Sequence, residues 1–373
     1  MAMDMEQRLD RVVTAALAER RIVGAVLLVH QHGRPLYEKA HGLADREAGR
    51  PMTRDAIFRF SSLTKPIVAA TILALRDAGK LRLDDEVTHF LPAFRPQLPD
   101  GSAPAITIHQ LLTHTSGLRA DSILTPAEQA AGVNRWHLGT EAIMARLAGL
   151  GLAFAPGSGW AYGPSIDVLG VIAGQLSGGT PGDAIARYVT GPLRMKDTRF
   201  GVTDPARLAA AYADAPGGAM LMTDPHSVPN AWGGMTTYDP GRILDAHAFH
   251  SGGGGAAGTG TDFMMLAETL RSGGGAVLRP ETVALGLANQ TPQLAQAVAP
   301  GLQFSYFGAF VDDPQAAGLP VHRGTVRWGG IYGHNWWIDP QNGLCVVSMS
   351  NTGLEGSDGA YRAEVYEAVY AGL

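Results

Sequence analysis

Apolar residues recur along this chain in two rhythms, and the rhythm changes twice. Leu9, Val12, Val13, Ala16 and Leu17 fall at helical spacing and predict an amphipathic first helix able to lie on a sheet. Residues 25–30 and 35–40 are short β-type runs joined by His32-Gly33-Arg34, which reads as a hairpin. Phe58-Arg59-Phe60 leads into Ser61-Ser62-Leu63-Thr64-Lys65-Pro66, and residues 67–78 predict an apolar, Ala-rich helix. Pro66 is tolerable in the first turn of that helix, so Ser62 stands at a helix N-terminus. From about residue 83 to about residue 240, helical stretches alternate with Gly/Pro-rich loops and little strand-like alternation remains, as in an insertion. Strand signals return near residues 304–311 and dominate residues 327–350. There Trp336-Trp337-Ile338, the turn Asp339-Pro340-Gln341-Asn342-Gly343 and residues 344–348 predict another hairpin. Tyr361, Val365, Val369 and Tyr370 give a closing helix. Strands at both ends with helices between them imply that the two ends of the chain build one unit together.

Composition narrows the function. A chain of 373 residues with 46% apolar residues supports a large core. The net charge of −5 comes with no lysine or arginine block, so nucleic acid and anionic lipid have no electrostatic hold, and neither is expected as a partner. The opening MAMDMEQRLDR lacks the apolar core of a secretory signal and no later stretch reaches membrane-spanning length, so the expected setting is cytoplasmic. The single cysteine, Cys345, excludes an internal disulfide and sits in the apolar run 344–347, as a buried strand residue rather than a nucleophile. The glycines at 252–255 read as a loop. They follow no clear strand and lack the following Lys-Ser/Thr of a phosphate cradle.

Lysine is scarce, represented only by Lys39, Lys65, Lys80 and Lys196, which makes the Ser62-x-x-Lys65 spacing informative. On a helix, positions i and i+3 share a face, so the hydroxyl and the ammonium can project together into one cleft. The helix N-terminus adds partial positive charge and free N–H groups. A serine hydroxyl is a weak nucleophile until a neighbouring group takes its proton. The competing reading makes Ser62 a helix cap and Lys65 a solvated surface residue. No Gly-x-Ser-x-Gly turn occurs, and no serine is flagged for a Ser-His-Asp triad.

At this motif the chain resembles the serine β-lactamases, the D-alanyl carboxypeptidases and the esterases related to class C β-lactamases, in which a Ser-x-x-Lys serine is acylated. Three further segments carry the resemblance. Ile106-Thr107-Ile108-His109-Gln110-Leu111-Leu112-Thr113-His114-Thr115-Ser116-Gly117-Leu118 is similar to the family's stretch after the nucleophile helix. Its His109 and His114 lack a companion His-Glu-x-x-His motif and are expected to make structural hydrogen bonds; no metal is expected. Residues 156–170 resemble the loop-to-helix segment bearing the family's tyrosine, here Tyr162. Where class C enzymes place an asparagine two residues later this chain has Pro164. Asp167 stands at the spacing seen in the related esterases, and its alternative role is to satisfy nearby backbone N–H groups. Arg327-Trp328-Gly329-Gly330-Ile331-Tyr332-Gly333-His334 is similar to the family VIII carboxylesterase pattern and sits where β-lactamases carry Lys-Thr-Gly on an edge strand.

The resemblance implies an α+β, β-lactamase-like fold, a central antiparallel sheet flanked by helices. Residues 1–85 and 240–373 are expected to form the α/β domain and residues 86–239 a mostly helical one, with the active site in the cleft between them. It implies catalysis by Ser62, Lys65 and Tyr162 and an oxyanion hole from the N–H groups of Ser62 and Ile331, with Trp328, Gly329 and Gly330 beside the substrate. Either Tyr162 or Lys65 is the base. Trp160, Tyr332, His334, Trp336 and Trp337 are candidates for the pocket wall. With Trp328 replacing the lysine that meets a penicillin carboxylate, a small neutral ester is the expected substrate, without a cofactor. A β-lactamase or D-amino-acid peptidase, an acyltransferase using the same acyl-enzyme, and a catalytically silent binding protein are the other readings.

Overall fold

The computed structural model describes residues 3–119, 123–230, 234–371 and 373. Its centre is an eight-stranded antiparallel sheet. From edge to edge it runs Leu302–Phe304, Ala309–Val311, Val326–Gly330, His334–Asp339, Leu344–Ser350, Gly24–Gln31, Arg34–Asp45 and Arg50–Pro51. The two ends of the chain meet in the middle of the sheet, where Ala25 lies opposite Ser350 and Gln31 opposite Leu344. The first hairpin turns on His32 and Gly33, with φ of 50° and 77°. Positive φ at both positions matches the turn to the right-handed twist of the strands it joins.

Period-2 alternation divides the central strands between two cores. Val26, Leu28, Val347, Met349, Trp336 and Ile338 face the larger core, which holds the helices Thr64–Asp77 and Gly260–Arg271. Ala25, Leu27, Val29, Leu344, Val346 and Trp337 face the other, under the first helix, Met5–Ala18, and the last, Ala360–Tyr370. Cys345 is fully buried on its strand, and burial pushes its thiol far up from the ordinary range. Helix Thr64–Asp77 is buried from Thr64 to Leu75, as suits a helix apolar on every face. It packs against Ser165–Ser177.

Two findings differ from the sequence expectation. The middle of the chain contains two small ribbons, Tyr212–Ala213 with Met220–Leu221 and His226–Pro229 with Met235–Tyr238. Strands of two to four residues are too short for an alternating pattern to register. Val326–Gly330 is not an edge strand throughout: Val326 and Arg327 pair with Phe310 and Ala309 on one side while the whole strand pairs with His334–Asp339 on the other. Because Ala309–Val311 is only three residues long, its ladder ends at Arg327, and Trp328-Gly329-Gly330 runs on beyond it. Among the described residues no helix is long and apolar enough to cross a membrane, and no cluster of His, Cys, Asp and Glu has the makings of a metal site.

Candidate active site

The short strand Ile57–Arg59 pairs with Ala257–Thr259, and the N–H of Phe60 donates to Ala256 O at 2.9 Å. Ser61 then turns the chain with φ of 48°. A non-glycine residue in that region carries strain of about 1–3 kcal/mol and persists where the surroundings fix it. Here Phe60 is fully buried on one side and Gly254 lies against Ser61 on the other. Ser62 follows in a tight turn, Ser61–Leu63, and the α-helix begins at Thr64. The serine is half-buried at the head of the helix rather than in its first turn.

Lys65 is 9% exposed and commits its ammonium to two acceptors, Ser62 Oγ at 3.1 Å and the Gly253 carbonyl at 2.5 Å. Its Nζ also lies 4.5 Å from the centre of the Tyr162 ring. The Tyr162 hydroxyl is 2.7 Å from Ser62 Oγ, and Trp328 Nε1 donates to that same phenol oxygen at 3.2 Å. Ser62, Lys65, Tyr162 and Trp328 are thus joined in one hydrogen-bonded group, although they come from three distant segments.

Segment 106–118 acts as the mould for the tyrosine loop. Thr107 and Gln110 cap its short helix, Ile108–Leu112, reciprocally. The N–H of Gly157 then donates to Thr115 O and that of Ala161 to His114 O, while the hydroxyls of Ser116 and Ser165 meet at 2.9 Å. His109 makes the expected hydrogen bond, to the Tyr306 hydroxyl at 2.8 Å. His114 does not. Neither ring nitrogen has a hydrogen-bond partner among the described residues, because the imidazole is buried among Trp160, Tyr162 and Phe304. Burial, aided by the Lys65 charge, holds its pKa well below the usual imidazole range, so it is neutral.

The strand glycines have a packing reason. A Cβ on Gly330 would stand 2.6 Å from Phe60 O, and one on Gly329 would stand 2.7 Å from His334 O. Only glycine lets the nucleophile turn lie this close to the sheet. Ile331, next in the chain, lines a cavity of about 420 Å³ together with Lys65, Tyr162 and Tyr332, a volume suited to a small molecule. Trp160 stacks behind Tyr162, ring centres 6.3 Å apart. His334, Trp336 and Trp337, named above as pocket candidates, are instead core residues. His334 Nε2 bonds to Arg59 O at 2.8 Å, Trp336 packs on Phe263, and Trp337 stacks on Tyr366. Their strand is covered on both faces, so neither alternating set of side chains reaches the cleft.

Sequence reasoning missed the role of the glycine loop. Asp167 accepts from Ser251 Oγ at 2.5 Å and from the Gly253 N–H at 3.2 Å, and this holds the loop so that the Gly253 carbonyl meets Lys65. A backbone carbonyl leaves no residue-type signature; the glycine run and Asp167 were the available signals. Arg135, Trp136, Asp239 and Arg242 of the cavity wall carried no recognisable motif at all.

The Beta-lactamase family model matches residues 9–371. Esterase EstB of Burkholderia gladioli is 42% identical over 379 residues, covering 99% of this chain and 96% of that protein. A solved structure described as EstCE1, a hydrolase with promiscuous acyltransferase activity, matches with a TM-score of 0.92 and 38% identity over 98% of both chains. Simvastatin synthase (LovD) from Aspergillus terreus matches with a TM-score of 0.75 and 22% identity over 99% of both chains, a likeness of fold. This chain belongs to the beta-lactamase family, on its branch of family VIII carboxylesterases.

Proposed function

We propose that this chain, a serine hydrolase of carboxylic esters, works through an acyl-enzyme on Ser62. The observation that carries the assignment is the pair of contacts on one oxygen: Tyr162 at 2.7 Å and Lys65 at 3.1 Å from Ser62 Oγ. As Oγ attacks the ester carbonyl carbon, its proton passes to the Tyr162 oxygen. For this step Tyr162 acts in its phenolate form, whose negative charge the nearby Lys65 ammonium and the Trp328 Nε1–H hold until the proton arrives and neutralises it. The backbone N–H groups of Ser62 and Ile331 hold the oxyanion of the tetrahedral intermediate. Collapse expels the alcohol with the proton from Tyr162. Water then attacks the acyl-enzyme with the same oxygen as base, releasing the acid and restoring Ser62.

Transfer to an alcohol in place of water uses the same intermediate. EstCE1, 38% identical, is described as having promiscuous acyltransferase activity, which favours transfer as a second activity of the site. Mixing the protein and Ser62→Ala with a p-nitrophenyl ester and with a fluorophosphonate, while following nitrophenol release and intact mass, tests the reading. Nitrophenol release with a single adduct that disappears in Ser62→Ala is the expected result. Well-folded protein giving neither release nor adduct would overturn it.

A further inference from the structure

The cavity beside the nucleophile is cationic in a protein whose net charge is −5. Lys65, Arg119, Arg135 and Arg242 line it, against the carboxylates of Asp167 and Asp239. Asp239 accepts from Arg135 Nη2 at 2.9 Å and from Trp136 Nε1 at 3.0 Å. Asp167 is engaged by Ser251 and Gly253, and Lys65 by Ser62 and Gly253.

Arg242 is different. Its guanidinium lies over the Trp136 indole with Cζ 3.7 Å from the ring centre. Among the described residues it makes no side-chain hydrogen bond or ion pair, and its Nη2 is enclosed against Gly255 without an acceptor. Burial lowers its pKa to about 10, which still leaves it charged at neutral pH. A guanidinium withdrawn from water with no acceptor is costly to hold. The stacking on Trp136 offsets only part of that cost. Ile123, Ile143, Leu147 and Phe249 also line the cavity and give an occupant apolar contact.

We propose that Arg242 determines specificity by meeting a carboxylate on the substrate, so that the preferred substrates are acidic esters: half-esters of dicarboxylic acids, or esters of hydroxy acids. Trp328 removes the cation that the β-lactamases of this family carry on the strand, and Arg242 supplies one on another wall. The inference rests on the esterase reading of the site.

The test uses two matched pairs. One is p-nitrophenyl hydrogen glutarate and its terminal amide, with the charge on the acyl side; the other is para-acetoxybenzoate and para-acetoxybenzamide, with the charge on the alcohol side. In the wild-type protein the acid of at least one pair should exceed its amide in kcat/KM by about tenfold or more, chiefly through KM, as fits a charge-assisted hydrogen bond. Arg242→Gln should bring that ratio near one, and Arg242→Lys should keep part of it. Amide esters turned over as well as their acids by the wild type, or a preference that survives in folded Arg242→Gln, would overturn the proposal and leave the esterase reading standing. No turnover of any of the four esters would sink the esterase reading instead. Should Arg242→Gln not fold, the wild-type ratio and Arg242→Lys decide.

Discussion

Replacing Gly330 with alanine probes the closest approach between the sheet and the nucleophile. The new Cβ would stand 2.6 Å from Phe60 O, roughly 0.8 Å inside ordinary van der Waals contact. Neither side can yield cheaply. Phe60 is fully buried, its ring packs edge-on against Phe263 and its N–H is bonded to Ala256 O. Gly330 sits in the ladder opposite His334. The strain therefore passes along the chain to Ser62, two residues beyond Phe60, and to Ile331. Overpacking of this kind costs about 1–3 kcal/mol of stability, and a displacement approaching 1 Å at a reacting group costs about a hundredfold in rate. Gly330→Ala should thus lower kcat on a p-nitrophenyl ester by about 10- to 100-fold and slow fluorophosphonate labelling in step, with a thermal midpoint a few degrees lower. Gly149→Ala, at a helix end where a Cβ meets nothing within 4 Å, is the control and should leave both readouts near wild type. Wild-type kcat and midpoint in Gly330→Ala would refute the idea that this contact positions the serine.

Four further outcomes follow from the same geometry. Tyr162→Phe should lower kcat by about 10²- to 10⁴-fold, the usual contribution of a general base, with far-UV circular dichroism unchanged. Trp328→Phe keeps the ring packing and loses one neutral hydrogen bond, so kcat should fall about two- to tenfold; a larger loss would mean that the indole does more than donate. Asp167→Asn weakens the hold on Ser251 and Gly253 and should slow fluorophosphonate labelling by about tenfold, with a smaller change in KM for a neutral ester. Burial holds His334 down to about 4, against about 6.5 in an unfolded chain. Between those values the unfolded state binds more protons, so this stability is complete above about pH 6.5 and is lost as pH falls toward 4, by roughly 3 kcal/mol. Urea midpoints should fall over that window, and more shallowly in His334→Gln; identical slopes would remove His334 as the cause.

Where a residue's type and spacing determine its neighbours, the sequence was legible. Ser62, in the turn that leads into the helix, and Lys65, in its first turn, meet at 3.1 Å, the first hairpin turns where His32 and Gly33 predicted, and the strands of residues 327–350 lie where their β-branched and aromatic runs placed them. Tyr162 and Trp328 were reached only through resemblance, since nothing local to either residue says that it ends beside Ser62. The aromatic cluster near residue 336 misled for a definable reason: alternation says which residues share a face and leaves open whether that face is covered. Trp336 and Trp337 point to opposite faces and both faces are buried. The pairing of Lys65 with Gly253 was illegible because its acceptor is a carbonyl, the same in every residue.

Acylation and selection rest on different kinds of structure. Ser62 and Lys65 stand at the head of a helix buried from Thr64 to Leu75, Trp328 lies on a strand laddered to His334–Asp339, and the Tyr162 loop is tied by backbone hydrogen bonds to segment 106–118. Moving any of them means breaking a ladder or a core. Arg135 and Arg242 sit on the short turns Arg135–His137 and Pro240–Leu244, joined chiefly through Trp136 and Asp239. Exchanging either arginine side chain breaks none of the hydrogen bonds that join Ser62, Lys65, Tyr162 and Trp328, so the charge of the cavity can change while the geometry around Ser62 stays fixed. It follows that variants of these turns should alter which ester is preferred, mainly through KM, whereas variants of the nucleophile helix and strand should lower turnover of every ester alike.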